Sequence, residues 1–186
     1  LYIMMLNDLK KTLFLPVFVT FLFTGTSFAQ VGGWNPELQK EANEALTKMI
    51  EQTPKLLSFK EKAYGYVVFP KVTKAGLGIG GAAGSGIVYQ NNNAVGSSKL
   101  KQASIGLQAG GQQYSEVIFF ENKKVFENFK TGKLKFDAQA SAVAITEGAS
   151  VDVAYQNGVA VCTQTIGGLM YEASLGGQHF SFKPMD

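Results

Sequence analysis

One stretch near the middle of the chain constrains the fold more than any other, because glycine alternates there with apolar residues. It runs from Phe69 to Tyr89 and places Leu77 and Ile79 between glycines. Alternation with a period of two predicts a strand, and here one face of the strand carries only glycine hydrogens and is therefore bare. Glycine weakens a strand, so such a strand persists where a backbone, a side chain or a ligand approaches closely. The predicted close-approach positions are Gly76, Gly78, Gly80, Gly84 and Gly86.

The first 29 residues have the pattern of a leader. Lys10 and Lys11 precede an apolar run from Leu13 to Phe23, and small residues follow up to Ala29. This pattern predicts a signal peptide over 1–29, cleaved after Ala29, and hence a periplasmic or secreted protein. The alternative is a retained anchor, although the apolar run is shorter than the roughly 20 residues that a spanning helix needs.

The remaining residues, 30–186, have the length of a single domain of α+β class. Asn35-Pro36-Glu37 is a helix-start signal, and apolar residues at helical spacing predict an amphipathic helix over 36–52 and a shorter one over 55–62. These helices either cap a sheet or lie on a membrane surface. From Tyr64 onward many short strands are predicted, with Phe69-Pro70 ending the first and a hairpin signal at Gln156-Asn157-Gly158. The predicted strands are Tyr64–Phe69, Ala75–Tyr89 as one bent strand or two, Gln102–Gln108, Ser115–Glu121, Leu134–Ile145, Val151–Tyr155, Val159–Thr163, 166–171 and Gln178–Phe182. The predicted architecture is N-terminal amphipathic helices packed on an antiparallel β-barrel or sandwich.

Positive charge is concentrated on the glycine-rich region. The chain has seventeen basic residues, all of them lysine, and a net charge of +3. Residues 62–115 contain five lysines and no acid, whereas the segments on either side are slightly acidic. If Phe69-Pro70 ends a strand, Lys71 and Lys74 lie at a solvent-exposed rim. A hairpin through Asn91–Asn93 would bring Lys99 and Lys101 near them, and these four lysines are the predicted binding residues.

The sequence offers little for catalysis, metals or nucleic acid. Gly76 to Gly81 matches G-x-G-x-x-G, but a strand pattern follows where a dinucleotide site needs a helix. The chain has one histidine, His179, and one cysteine, Cys162, too few for a usual zinc site. Cys162 is predicted to be a buried small residue. A catalytic pair of carboxylates drawn from Asp137, Glu147 and Asp152 remains open, although no pattern in the sequence supports it. No enzyme activity, cofactor or metal is therefore predicted, and the absence of arginine disfavours nucleic acid.

Several short motifs are spread along the chain: Tyr66-x-x-Phe69-Pro70, Lys74-Ala75-Gly76, Gly84-Ser85-Gly86, Gly110-Gly111-Gln112, Gly168-Leu169-Met170-Tyr171 and Ser174-Leu175. Together these motifs resemble the SYLF domain, over roughly Leu38 to Phe182. The resemblance implies lipid binding, often of phosphoinositides, and in some members actin binding, with no enzyme activity or cofactor.

Two functions remain open at this point. The first is a lipid-binding module of the bacterial cell envelope that docks on anionic phospholipid or a phosphoinositide-like head group through Lys71, Lys74, Lys99 and Lys101. The second is an envelope structural or protein-interaction module without a lipid ligand, in which the glycine strand pairs with a partner's backbone. A vesicle-binding experiment separates the two functions. The first function requires binding that anionic lipid strengthens and that salt weakens.

Overall fold

A computed structural model describes residues 35–136, 140–146, 151–167 and 174–185, without the side chains of 77–78 and 104–109. The predicted leader, the strand predicted over 166–171 from Gly168 onward, and the carboxylates Asp137 and Glu147 lie outside this part. Three helices and five strands are found in the described residues. They are α1 (Pro36–Gln52), α2 (Lys55–Lys62), β1 (Gly65–Gln90), β2 (Asn93–Phe120), α3 (Lys123–Lys130), β3 (Val143–Ile145), β4 (Val159–Gly167) and β5 (Gln178–Pro184).

The predicted N-terminal helices are confirmed, and they pack on the sheet. Asn35 caps α1 by accepting a 2.9 Å hydrogen bond from the backbone N–H of Glu37, and Pro36 occupies the first turn. Leu46 and Met49 are buried in one core with Tyr66 and Val117 of the sheet. The apolar face of α1 is therefore occupied by the protein itself, which rules out the interpretation of α1 as a membrane-surface helix.

Replacing the cap tests this account of α1. Asn35→Ala removes the acceptor and leaves an N–H of the first turn without a protein partner. We expect the free energy of unfolding, measured by urea denaturation, to fall by about 1 kcal/mol. An unchanged free energy would mean that solvent satisfies this N–H equally well.

Two long strands, β1 and β2, replace the shorter strands predicted between residues 64 and 121. β1 and β2 form an antiparallel hairpin that extends from Gln90↔Asn93 to Gly65↔Phe120, and Asn91 and Asn92 turn it with positive φ. The prediction that Phe69-Pro70 ends a strand is wrong. Pro70 lies in a bulge between Phe69 and Val72, where one residue of β2 faces two of β1. Proline is tolerated at a bulge because no ladder hydrogen bond is required of it. Ser115 donates instead to the Pro70 carbonyl, at 2.8 Å.

The long hairpin is folded back on itself, and the glycines make this possible. A Cβ built on Gly76 would lie 2.5 Å from the Gly80 Cα, so β1 reverses between these residues. The two limbs of β1 then lie beside each other: a Cβ on Gly86 would lie 2.5 Å from the Val68 carbonyl oxygen, and one on Gly84 would lie 2.9 Å from that of Lys71. On the other face of the same limbs, the rings of Tyr66 and Tyr89 stack at 4.8 Å.

The sheet is curled but open. Its order is β1-β2-β4-β3, with β5 on the first half of β2. Phe69 of β1 and Phe180 of β5 approach to 6.0 Å across the concave inner face, where α3 contributes Phe126 and Phe129 to the core. Among the described strands, no pairing joins β3 or β4 back to β5.

The α+β class is thus confirmed, but two details of the predicted sheet differ. The described strands form an open sheet rather than a closed barrel. In addition, β3 pairs with β4 in parallel, so the sheet is not wholly antiparallel. Of the strand predicted over 134–145, Val143–Ile145 forms β3 and Ser141 makes an isolated antiparallel bridge with Ser174. Val151 to Tyr155 has no strand conformation.

Candidate functional site

The first half of β2 presents lysines on the helix-bearing outer face of the sheet. Lys99 and Lys101 are exposed and pair in register with Ser85 and Ala83 of β1. Residues directly opposite each other in an antiparallel pair share a face. Ile87, further along β1 on this face, is buried in the core with α1, but Ser85 and Ala83 are exposed. The part of the outer face that carries the two lysines is therefore open to solvent.

β5 extends this surface with further basic side chains. His179 pairs with Lys101, and Lys183 pairs with Ser97, two residues before Lys99. Both side chains are exposed. Adjacent strands lie about 4.8 Å apart and alternate residues about 7 Å apart, so these side chains form a compact patch.

Lys71 joins the patch from the first limb of β1. It lies in the bulge after Phe69, is exposed, and its carbonyl oxygen contacts Gly84, the neighbour of Ser85. We call the exposed side chains of Lys71, Lys99, Lys101, His179 and Lys183 the basic sheet face.

No carboxylate neutralises the basic sheet face from its own strands. β1 and β5 contain no acidic residue, and Glu116 of β2 is fully buried on the opposite, inner face. The ion pairs found among the described residues, Lys55 with Asp152 and Lys130 with Glu127, lie elsewhere. The lysines of this face therefore remain available to an external anion.

Lys74 does not belong to this surface, and its predicted position at an exposed rim is wrong. Only 5% of the residue is exposed. The bulge between Phe69 and Val72 resets the alternation of β1, so Val72 faces the inner core and Lys74, two residues later, faces the same way. The structure thus brings together three of the four predicted lysines and adds Lys183 and His179 of β5. The β5 pairing could not be predicted, because 86 residues separate Lys183 from its partner Ser97 and no local signal links them.

Four of the predicted close-approach glycines, Gly76, Gly80, Gly84 and Gly86, lie on the inner side of the fold. Backbone atoms of other residues lie against Gly76, Gly84 and Gly86, as described above, and Gly80 supplies the contact for Gly76. Gly78 lies in the same reversal of β1. The bare face predicted from the alternation is therefore occupied by this chain's own backbone, and the G-x-G-x-x-G match lies within a strand.

Buried polar groups form a second cluster inside the curled sheet. Glu116 accepts a 3.1 Å hydrogen bond from the Gln178 amide, and the Gln102 amide donates to the carbonyls of Ser174 and Gly176. Oε1 atoms of Glu116, Gln178 and Gln102 are buried without a partner. Burial raises the pKa of Glu116 to about 7, an effect that the Gln178 hydrogen bond partly offsets. The cluster ties β5 to the far half of β2.

A cavity with a mixed polar and apolar lining lies on the same inner side, away from the basic sheet face. It has a volume of about 320 Å³. Its lining includes Leu134, Phe136, Val159, Val161 and Leu175 and the polar residues Lys135, Ser141, Gln156 and Asn157. Val159 and Val161 belong to the inner core, so the cavity and the basic sheet face lie on opposite sides of the sheet.

The side chains of the described residues form no candidate metal centre. No three side chains among their histidines, cysteines, aspartates and glutamates are placed to hold a metal ion. Cys162 is buried, as predicted, and burial raises the pKa of its thiol to about 12. None of the helices in the described ranges has the length and apolar character needed to cross a membrane.

Comparison with known proteins agrees with the motif resemblance. Residues 101–184 match the family model Ysc84, described as Las17-binding protein actin regulator. The chain is also 30% identical over 156 residues to Beta cell expansion factor A of Aeromonas veronii, an alignment that covers 78% of this chain and 59% of that protein. The chain thus spans somewhat over half the length of this relative.

Proposed function

Because this chain belongs to the SYLF (Ysc84) family, a family of binding modules, we propose that it is a non-enzymatic module that binds anionic lipid surfaces through its basic sheet face. The observation that carries the proposal is the open, acid-free surface formed by Lys71, Lys99, Lys101 and Lys183 on adjoining strands. Lysine suits a lipid phosphate because its ammonium group is a compact point charge with three donors.

The charge of this surface is sufficient for reversible docking. An anionic membrane attracts each nearby lysine with about 1 kcal/mol, so three or four lysines together yield binding that salt weakens. We further propose that the protein acts in the bacterial cell envelope after export, as the leader pattern of residues 1–29 suggests. The proposal includes two kinds of anionic ligand for the basic sheet face, namely anionic phospholipids and phosphoinositide-like head groups.

Charge reversal tests the proposed surface. The variant Lys71→Glu, Lys99→Glu, Lys101→Glu should retain its fold, because all three side chains are exposed. Loss of three attractive lysines alone lowers the affinity for vesicles by about 100-fold, and the added repulsion lowers it further. The measurement is co-sedimentation with vesicles of phosphatidylglycerol and phosphatidylcholine. Lys74 is left unchanged, since a carboxylate at this buried position would destabilise the fold.

A matched control carries the same change of charge on another surface. Lys123, Lys124 and Lys133 are exposed at α3 and the turn after it, and Lys123→Glu and Lys124→Glu place acids at a helix N-terminus, where they are tolerated. This triple variant should bind nearly as well as wild type. Equal losses in both variants would mean that net charge, not the basic sheet face, governs binding. If wild-type protein shows no salt-sensitive binding, the protein-interaction function is favoured instead.

A further inference from the structure

The reversal of β1 exposes an apolar side chain at the far end of the folded hairpin. Ile79 lies between Gly76 and Gly80, the residues at which β1 folds back, and 76% of it is exposed. Among the large hydrophobic side chains that the structure describes, none other is exposed to this extent.

Ile79 and the lysines of the basic sheet face point to the same side. The pairing of β1 with β2 runs without a bulge from Ile79↔Ile105 through Ala83↔Lys101 to Ser85↔Lys99. Odd-numbered residues of this β1 limb therefore share the outer face with Lys99 and Lys101. Four residues of β2 separate Lys101 from the residue opposite Ile79, a distance of about 13 Å along the strand.

This arrangement suits one kind of partner, a lipid bilayer with anionic head groups. Lysines that contact phosphates stay at the level of the head groups, whereas an apolar side chain gains free energy about 5–10 Å deeper, at the start of the acyl chains. A hairpin end is narrow enough to enter this layer. The acid-free strands around it allow approach without electrostatic repulsion.

We propose that the reversal of β1 inserts Ile79 into the acyl boundary of the membrane while the basic sheet face holds the head groups. This inference rests on the proposed function, because the lysines must first bring the hairpin to the surface. The lysines then set the sensitivity of binding to salt, and Ile79 supplies a component of binding that salt does not screen.

A fluorescent probe at residue 79 tests the insertion directly. Ile79→Cys is labelled with the NBD fluorophore; Cys162 is fully buried and should stay unlabelled. On phosphatidylglycerol and phosphatidylcholine vesicles, we expect blue-shifted emission and protection from dithionite in the water. The same probe at Lys124→Cys, on the exposed start of α3, should remain fully accessible. A probe at 79 that stays accessible on protein that co-sediments would overturn the insertion and leave the proposed function standing.

A second variant removes the apolar group without a probe. Ile79→Ser should lower binding by about tenfold at high salt, where lysine contacts are screened, and by less at low salt. Leu57→Ser is the matched control, since Leu57 is 45% exposed on α2 and should bind as wild type does. Equal binding of Ile79→Ser and wild type at high salt would contradict the insertion. Absence of vesicle binding by the wild-type protein at low salt would instead refute the proposed function, and the insertion with it.

Discussion

Gly86→Ala is expected to destabilise the protein by about 3 kcal/mol or more, because the new methyl group has no space. A Cβ at this position would lie 2.5 Å from the Val68 carbonyl oxygen and 2.6 Å from the Phe69 ring. The ring is fully buried and the carbonyl belongs to the adjoining limb of β1, so neither can move without disturbing the inner core. Chemical denaturation of the variant, followed by circular dichroism, measures the loss.

Gly167→Ala is the matched control for this prediction. Gly167 ends β4, and a Cβ built there meets no atom within 4 Å. We expect its free energy of unfolding to stay within about 0.5 kcal/mol of wild type. If Gly86→Ala were equally harmless, the two limbs of β1 would not be in contact. The description of a folded-back hairpin that carries the basic sheet face would then be wrong.

Glu116 is expected to make the protein less stable as pH rises from about 4.5 to about 7. Burial raises the pKa of this carboxyl in the folded state to about 7, so the folded protein holds a proton that the unfolded chain releases. The stability contributed by the proton is complete below the unfolded pKa and is lost by about pH 7, a change on the order of 3 kcal/mol. A protonated Glu116 also gains a donor, and the neighbouring Gln178 has a buried Oε1 to accept it.

Glu116→Gln should abolish this loss, since an amide remains neutral at all these pH values. We therefore expect the variant to be more stable than wild type at pH 8 and similar to it at pH 4.5, as measured by urea denaturation at each pH. Tyr114 also interacts with Glu116, and burial, together with the charge of Glu116, raises the pKa of Tyr114 beyond this range.

Asp152→Asn provides the control for the pH experiment. Asp152 is exposed, and the hydrogen bond from Lys55 lowers its pKa, so its ionised form is favoured in the folded state. Any stability that this ion pair contributes is therefore lost as pH falls, whereas the stability contributed by protonated Glu116 is lost as pH rises. The loss of stability between pH 4.5 and pH 7 should persist in Asp152→Asn. Its persistence in Glu116→Gln would show that another group is responsible.

Local signals in the sequence predicted local structure well. The Asn35-Pro36 start of α1 and the turn at Asn91–Asn93 were confirmed. At Asn157-Gly158 the turn was confirmed by positive φ at both residues, but it closes only an isolated Gln156–Val159 bridge rather than a hairpin of two strands. These features depend on backbone preferences of a few adjacent residues. The glycine alternation likewise predicted close backbone approach before the approaching segment was known.

Features that depend on distant contacts were not predictable in the same way. Pro70 resembled the end of a strand, but Ser115, 45 residues away, completes a bulge around it. That bulge alone decides that Lys74 is buried while Lys71 is exposed. The pairing of Lys101 with His179 joins segments that carry no common pattern. The charge distribution thus predicted which region is basic, and only the register of the strands showed which lysines share a surface.

The central claim, that the basic sheet face docks on anionic lipid, is tested most directly by the salt dependence of wild-type binding. Co-sedimentation is measured at low and high salt with phosphatidylcholine vesicles that contain increasing fractions of phosphatidylglycerol. We predict binding that rises with the anionic fraction and weakens as salt increases. Binding that is absent, or equal on neutral and anionic vesicles at low salt, would contradict the claim.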